Sequence, residues 1–258
     1  MRSGFAFTKF ADRLASIVEL SPEDLDLLAK MPATIGHFAS HDTIARRGER
    51  PTSCCLLLQG YLCWMVESES GQQITSIHVP GDMPDLQNLP APQLQYDLVA
   101  LGPVVVAFVP HAFFRELNAS SPRLSRALSL LALADVSCLR NWIFNLGTRD
   151  ALARVAHLLC ELTVRLRVVG LAKDFTFASP FTQSDLAAAC AISAVHANRT
   201  IQELRRRSLV QWHSKTIAVA DWAGLVQLAR FRPDYLGLRD PSMLDGPQTG
   251  QFAAQLSA

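Results

Sequence analysis

Four residues close together in the chain, Val195, His196, Asn198 and Arg199, carry side chains suited to reading the edge of a nucleic-acid base. A guanidinium makes two parallel bonds to a guanine edge, an imidazole or carboxamide bonds bases or phosphates, and an apolar side chain meets a thymine methyl. They open a stretch, residues 194–207, in which Ile201 and Leu204 fall at helical spacing on the opposite face. Ser193 stands where an N-cap belongs, so the stretch is predicted to be a helix that exposes its first turns and buries Ile201 and Leu204. A lone histidine on a helix is more often an ordinary surface residue. Arg205, Arg206 and Arg207 suit the negative end of the helix dipole without any partner. What surrounds the four residues therefore decides their meaning.

Just before them, Thr182-Gln183-Ser184-Asp185 has the spacing of a capping box and leads into the short apolar run 186–190. Ala191-Ile192 makes a turn, so two helices joined tightly, a helix-turn-helix, are expected. Behind the second helix, the runs 209–212 and 216–219 flank His213-Ser214-Lys215, the pattern of a β-hairpin. The whole reads as a winged helix-turn-helix, whose second helix enters the major groove and reads bases with its N-terminal residues. Thr182 and Ser193, at helix N-termini, suit phosphates. Gln183 joins the DNA-binding set beside Thr182, and His213 and Lys215 at the wing tip add backbone contacts.

Charge supports this placement. The chain of 258 residues has a net charge of +1, but residues 1–120 hold 8 Lys and Arg against 13 Asp and Glu, and residues 121–258 hold 16 against 10. The basic half is the one with the helix-turn-helix, which favours a polyanionic partner there. With 49% hydrophobic and 18% charged residues the chain has ample material for packed cores, and its length suits two domains.

The first half reads differently. Short apolar or alternating runs at 54–58, 61–66, 73–79, 97–100 and 104–109, separated by turn residues, indicate a sandwich or barrel. Ser21 and Pro22 with acids behind them start a short helix at 21–30. After Pro110 a long helix is expected, because Leu117, Leu124, Leu128, Leu131, Cys138 and Trp142 recur at spacings of three, four or seven. A helix of that length exceeds what one small barrel can cover. Leu124, Leu128, Leu131, Asp135, Cys138 and Trp142 are accordingly expected to form a parallel coiled-coil dimer seam, with Asp135 either setting register or splaying to solvent. Gly147-Thr148 is expected to break this helix, and a further helix over 149–167 to end at Gly170.

The order of parts resembles the CRP/FNR superfamily of bacterial transcription regulators over roughly residues 20–235. The resemblance rests on Ser193 through Arg199 followed by Ile201, Leu204 and Leu209, on the wing around 213–216, and on the segment 149–160. It implies an α+β chain: an N-terminal double-stranded β-helix (jelly-roll or β-roll) sensor domain with its N-terminal helix over 1–110, a dimerisation helix over 111–146 and a winged helix-turn-helix over 147–235; residues 236–258, rich in Gly, Pro, Asp, Gln and Ser, read from their composition as a flexible tail. The resemblance further implies a sequence-specific homodimer on two-fold symmetric double-stranded DNA, with RNA polymerase as a partner.

The chain departs from the cyclic-nucleotide members of the family. Those place Gly-Glu after a Pro-Gly-Asp turn and an Arg with Ser or Thr for the cyclic phosphate. Here Pro80-Gly81-Asp82 is followed by Met83-Pro84-Asp85-Leu86, and Gln95-Tyr96-Asp97 stands where the phosphate needs an Arg. Cyclic AMP is not the expected effector, and the effector is left unassigned. The iron–sulfur members need four cysteine ligands, mostly near the N-terminus, whereas the first cysteine here is Cys54. Where the best-known members have Arg-Glu after the cap, this chain has Ala194-Val195, so the operator sequence does not carry over.

The six cysteines, 54, 55, 63, 138, 160 and 190, show no metal-ligand spacing and read as small buried hydrophobes in a reducing compartment, although a thiol response at Cys54, Cys55 or Cys63 is a second possibility. No cofactor or metal is expected. With no signal peptide and no spanning run, the chain is expected to be cytoplasmic and free of membrane. Two other readings compete: a sensor acting through protein contacts with a vestigial DNA domain, and a cupin-type metal enzyme. The latter needs a His-x-His pair, which His37, His41, His78 and His111 do not make.

Overall fold

Alternating apolar residues and well-placed turns fold the first half into paired strands. The computed structural model of the protein describes residues 7–69, 71–89 and 93–239. Helices α1 (Thr8–Ala15) and α2 (Pro22–Ala29) precede β1 (Thr34–Phe38), β2 (Thr43–Ala45), β3 (Ser53–Gln59), β4 (Leu62–Ser68), β5 (Gly71–His78), β6 (Asp97–Ala100) and β7 (Val104–Pro110). They form two antiparallel sheets, β1-β7-β3 and β2-β6-β4-β5, the faces of the expected β-roll. The five apolar runs of the sequence are β3 to β7. Strands β1 and β2 escaped that reading because they lie at the rim, exposed or half-buried throughout, with no apolar face to show.

The predicted long helix is two, α3 (His111–Ser120) and α4 (Pro122–Thr148). Ser121 turns extended before Pro122 and its side chain accepts from the Leu124 amide, so it ends one helix and caps the next. Gly147 does not break α4. The chain leaves the helix at Arg149, and Asp150 caps α5 (Ala151–Val168) by accepting from the Ala153 amide at 2.8 Å. Gly170, at φ 69, ends α5 as expected.

The second half continues with β8 (Thr176–Ala178), α6 (Gln183–Cys190), α7 (Ala194–Arg206), β9 (Val210–His213), β10 (Thr216–Val219), α8 (Trp222–Ala229) and a 3-10 turn at Pro233–Leu236. Helix α8 was not anticipated. Asp221 caps it, and Trp222, Leu225 and Ala229 face the core. The expected tail begins at a fully buried residue, Leu236, and residues 240–258 lie outside the described residues.

The two halves share one core. Tyr61, Cys63, Met65, Ile74 and Ile77 of the β-roll join a continuous cluster with α5, α6, α7 and α8. At its edge lies the Pro80-Gly81-Asp82 turn. Gly81 sits at φ 97 with α1 against it, and a Cβ there would meet the Lys9 carbonyl oxygen at 2.5 Å. Asp82 accepts from the Val79 amide at 2.8 Å and from Arg165 Nη2 at 2.6 Å, and Arg13 Nε lies 3.4 Å away. Arg165 also donates to the Ile77 carbonyl at 2.8 Å and to Glu161 at 3.1 Å, while Glu161 accepts from the Tyr235 hydroxyl at 2.7 Å. Burial alone would push the Asp82 carboxyl up, but Arg165 and then Arg13 outweigh it and hold it below the usual range.

The expected dimer seam is corrected by this packing. Leu124, Leu128 and Leu131 are buried with Phe10, Leu14 and Phe114, and Cys138 and Trp142 are buried in the shared core, all within the same chain. A stripe at helical spacing serves core and coiled coil alike, and here the β-roll and α1 take it. Helix α4 is long and apolar enough to cross a membrane by length and composition, yet this stripe lies inside the protein. Asp135 neither sets a seam nor splays out. It lies on the buried side, near Asp82, Glu161, Arg165 and Arg13. Two arginines there already face two carboxylates, so a third negative charge has no cation of its own. Burial pushes the Asp135 carboxyl up to about 7, and Asp82 adds to the rise.

Two predictions follow from the cluster. Arg165→Met leaves Asp82 and Glu161 buried without their shared cation, so urea unfolding should show a loss of about 3–5 kcal/mol. Arg206→Met, on the surface, should stay within about 0.5 kcal/mol. For Asp135 the folded chain holds the proton more tightly than the unfolded chain, so its contribution is full below the ordinary carboxylate range and is lost as pH rises to about 7. Asp135→Asn removes that loss. The stability of the variant relative to the parent should climb between pH 4 and pH 7 by at least about 1 kcal/mol, then level off.

Candidate nucleic-acid interface

Local signals build the helix-turn-helix much as the sequence implied. The Thr182 hydroxyl accepts from the Asp185 amide at 3.1 Å, and Asp185 in turn accepts from the Thr182 amide and hydroxyl at 2.8 and 2.7 Å. This capping box starts α6, and Ala191, in the left-handed region at φ 49, ends it. Ser193 then caps α7 by accepting from the His196 amide at 3.2 Å. Ala197, Thr200 and Leu204 form the buried face of α7, with Ile201 half-buried beside them.

The opposite face is open. Val195, His196, Asn198 and Arg199 are all exposed, and Val195 keeps 64% of its surface, an unusual share for a branched apolar side chain. Ser193, Val195, His196 and Arg199 border one open groove with Asp150 and Glu203. The wing is a three-stranded sheet, β8-β10-β9, in which His213 pairs with Thr216 across Ser214 and Lys215. His213 and Lys215 are exposed at its tip. Gln183 and Ser184, the first two residues of α6, are exposed, and their amides have no intrahelical acceptor. Both donors of Thr182 are taken by Asp185, so the open donors of this helix end are the amides of Gln183 and Ser184 rather than Thr182.

Of the basic run at the end of α7, Arg206 donates twice to Glu203 at 2.8 Å and Arg207 donates to it at 2.7 Å. These hydrogen bonds hold the Glu203 carboxyl down at about 2. The two arginines are committed within the helix, which matches their reading as a helix-end feature.

Residues that the sequence did not single out fix the unit in place. Arg154 donates to the Cys190 carbonyl at 2.6 Å and to the Leu146 and Arg149 carbonyls at 3.1 and 3.0 Å, joining the end of α4 to the α6–α7 turn. Arg149 donates to the Ala229 and Arg230 carbonyls at the end of α8. Their targets are backbone oxygens, several of them distant in sequence, which leave no spacing signal.

The β-roll offers little to the ligands of related sensors. Asp85 is buried, accepts from the Cys55 amide at 2.8 and 3.0 Å, and is pushed by burial up to about 7. Asp97 accepts from the Arg47 amide at 2.6 Å, so the acid at the expected phosphate position is bound to backbone. Neither the iron–sulfur chemistry nor a reactive thiol fits either. All six cysteines are buried, burial raises the thiols of Cys54, Cys55 and Cys63, and no cluster able to hold a metal occurs among the described residues.

Comparison with known proteins agrees with this architecture. Residues 35–121 match the cyclic nucleotide-binding domain, and residues 153–228 match the Crp-like helix-turn-helix domain. The chain is similar to the nitrogen fixation regulation protein FixK of Bradyrhizobium diazoefficiens, at 27% identity over 75% of this chain and 81% of that protein. It is also similar to the transcriptional activator protein FnrA of Stutzerimonas stutzeri, at 21% identity over 82% and 87%. The structure of FixK2 from Bradyrhizobium japonicum superposes with a TM-score of 0.68 at 19% identity, covering 77% of this chain and 98% of that one. A CRP/FNR-family regulator from Thermus thermophilus gives 0.59 at 21% identity, over 77% and 100%. With the β-roll, the long helix and the winged helix-turn-helix in this order, the chain belongs to the CRP/FNR family of DNA-binding transcriptional regulators.

Proposed function

We propose that the protein acts as a homodimer in the cytoplasm, each chain setting α7 into the major groove of one half of a two-fold symmetric DNA site and recruiting or blocking RNA polymerase there. The observation that carries this is the face of α7: four side chains able to read bases, none buried, on a helix capped by Ser193 and seated on Ala197, Thr200 and Leu204. Arg199 reads a guanine, His196 and Asn198 bond bases or phosphates, and Val195 meets a thymine methyl. Ser193, Gln183, His213 and Lys215 hold the backbone, with Thr182 acting through its cap. The labour divides along the chain at about residues 110 and 146.

The dimer seam in this reading lies on the outward face of α4. Ser129, Leu133, Val136, Arg140 and Ile143 repeat at alternating steps of four and three, the spacing of a coiled coil. Leu133 is 59% exposed and Ile143 72%. Large apolar side chains left open along one seam favour a second copy of the helix. The β-roll does not serve a cyclic nucleotide in this reading: the acids at Asp85 and Asp97 oppose a phosphate, and its signal is a different small molecule or none.

Selection from a random duplex pool, followed by a salt titration of the enriched sequence, tests the proposal. A palindromic site with a steep salt slope is expected, and a failure to enrich any sequence at low salt would sink it. On that site Arg199→Ala should cost about 1–3 kcal/mol and relax one position per half-site, whereas Lys215→Ala should weaken all sequences alike. Leu133→Asp should turn the dimer into a monomer in analytical ultracentrifugation, while the far-ultraviolet circular dichroism stays that of the parent.

A further inference from the structure

Three side chains of the β-roll reach across to the helix-turn-helix. Tyr61, at the start of β4, donates its hydroxyl to the Ala178 carbonyl of β8 at 2.7 Å. Gln73 of β5 donates to the Ala188 carbonyl in the last turn of α6 at 2.6 Å. At the other end of α6, His41 Nε2 lies 3.2 Å from Asp185 Oδ1. The first helix of the DNA-binding unit is thus gripped at both ends by the sensor half of the same chain.

His41 is placed for this with unusual care. It sits in the turn between β1 and β2 at φ 66, a conformation uncommon for a residue with a side chain. Two backbone bonds to β6 hold it there, from the His41 amide to the Ala100 carbonyl at 2.9 Å and from the Ala100 amide to the Asp42 carbonyl at 3.0 Å. Asp42 also accepts from the Ala39 amide at 2.7 Å, closing the turn. Ser40 Oγ lies 2.9 Å from His41 Nδ1, which orients the ring. A strained backbone fixed on three sides aims one imidazole at one carboxylate.

That carboxylate has a second task. Asp185 Oδ2 is occupied by the two donors of Thr182, which leaves Oδ1 for His41. Asp185 is nearly buried and lies one residue beyond the open amides of Gln183 and Ser184. An Oδ1 without a donor would compete with an incoming phosphate for those amides, or turn and release the cap.

We propose that His41 is a positioning residue for DNA binding: by holding Asp185 in the cap of α6 it keeps the Gln183 and Ser184 amides open to phosphate, so the β-roll sets DNA affinity through its grip on this helix. The proposal rests on the reading of α6 as a DNA-backbone contact.

The test compares the parent with His41→Ala and His41→Gln in the full chain. Both variants bear the same left-handed backbone, so they differ in the side-chain donor alone, and glutamine can place a donor near that of Nε2. His41→Ala should bind the selected duplex and unrelated duplexes about five- to tenfold more weakly, the size expected for a lost cap contact, with a shallower salt slope. His41→Gln should stay within about twofold of the parent. Binding by His41→Ala equal to that of the parent, or an equal loss in His41→Gln, would overturn the proposal. Amide exchange at Asp185 and Leu186 separates it from the DNA reading. Should the parent bind no duplex, that reading falls; faster exchange in His41→Ala alone would still uphold the grip on the cap, and equal exchange in all three chains would overturn it.

Discussion

A carboxylate with 1% of its residue surface in contact with water cannot stay ionised in a protein interior unless cations come to it, and much of this molecule is organised by bringing cations to Asp82. The turn that bears Asp82 belongs to the β-roll. Its cations come from elsewhere, Arg13 from α1 and Arg165 from α5. Arg165 is itself buried and requires Glu161, and Glu161 requires a donor, which Tyr235 provides from the far end of the described chain. One buried charge therefore ties together the N-terminal helix, the sensor, the helix that leads into the DNA-binding unit and the turn that closes it. The apolar core would hold these parts in contact, but apolar contact is not directional. The ion pairs set their register.

The same arrangement shapes what the β-roll can bind. His78 beside Asp82 is driven by burial down to about 4, and so adds no positive charge. The acids exceed the cations by Asp135, and Asp85 lies buried on the neighbouring turn without any cation. An anion entering this space would meet carboxyls and filled apolar positions such as Met83 and Leu86. Around this turn the interior positions are thus taken by contacts within the chain.

How much of this was legible in the sequence depended on whether the cause was local. Capping boxes, the two-helix unit, the wing and the apolar strands β3 to β7 all rest on residues within a few positions of one another, and each lies close to where it was read. Helix α8 and strands β1 and β2 lacked a clear period. The α4 stripe shows the opposite failure. Leu124, Leu128, Leu131, Cys138 and Trp142 have the right spacing for a seam, but spacing cannot say which of two partners, another copy or the chain's own β-roll, will cover it. At the interface, exposure of Val195, His196, Asn198 and Arg199 followed from helical period alone. The contacts of Arg149, Arg154, His41 and Gln73 did not, because each side chain makes a bond to a residue far away in the chain, usually through a backbone oxygen that every residue possesses.

Helix α4 has one face packed in the core and one open apolar face, on a single cylinder. Its inner face fills the core and carries Asp135 toward the charged cluster, while its outer face shows Leu133, Val136 and Ile143 at coiled-coil spacing. The two faces lie on one rigid cylinder, so a turn of the helix that relieved Asp135 would also move the outer residues around the axis. Arg154 anchors the end of the same helix to the α6–α7 turn through the Leu146 and Cys190 carbonyls. The β-roll is thus connected to the helix-turn-helix by two routes, along α4 to Arg154 and directly through the contacts on α6. The second route is the shorter, since His41 and Gln73 of the β-roll touch α6 directly within a single chain.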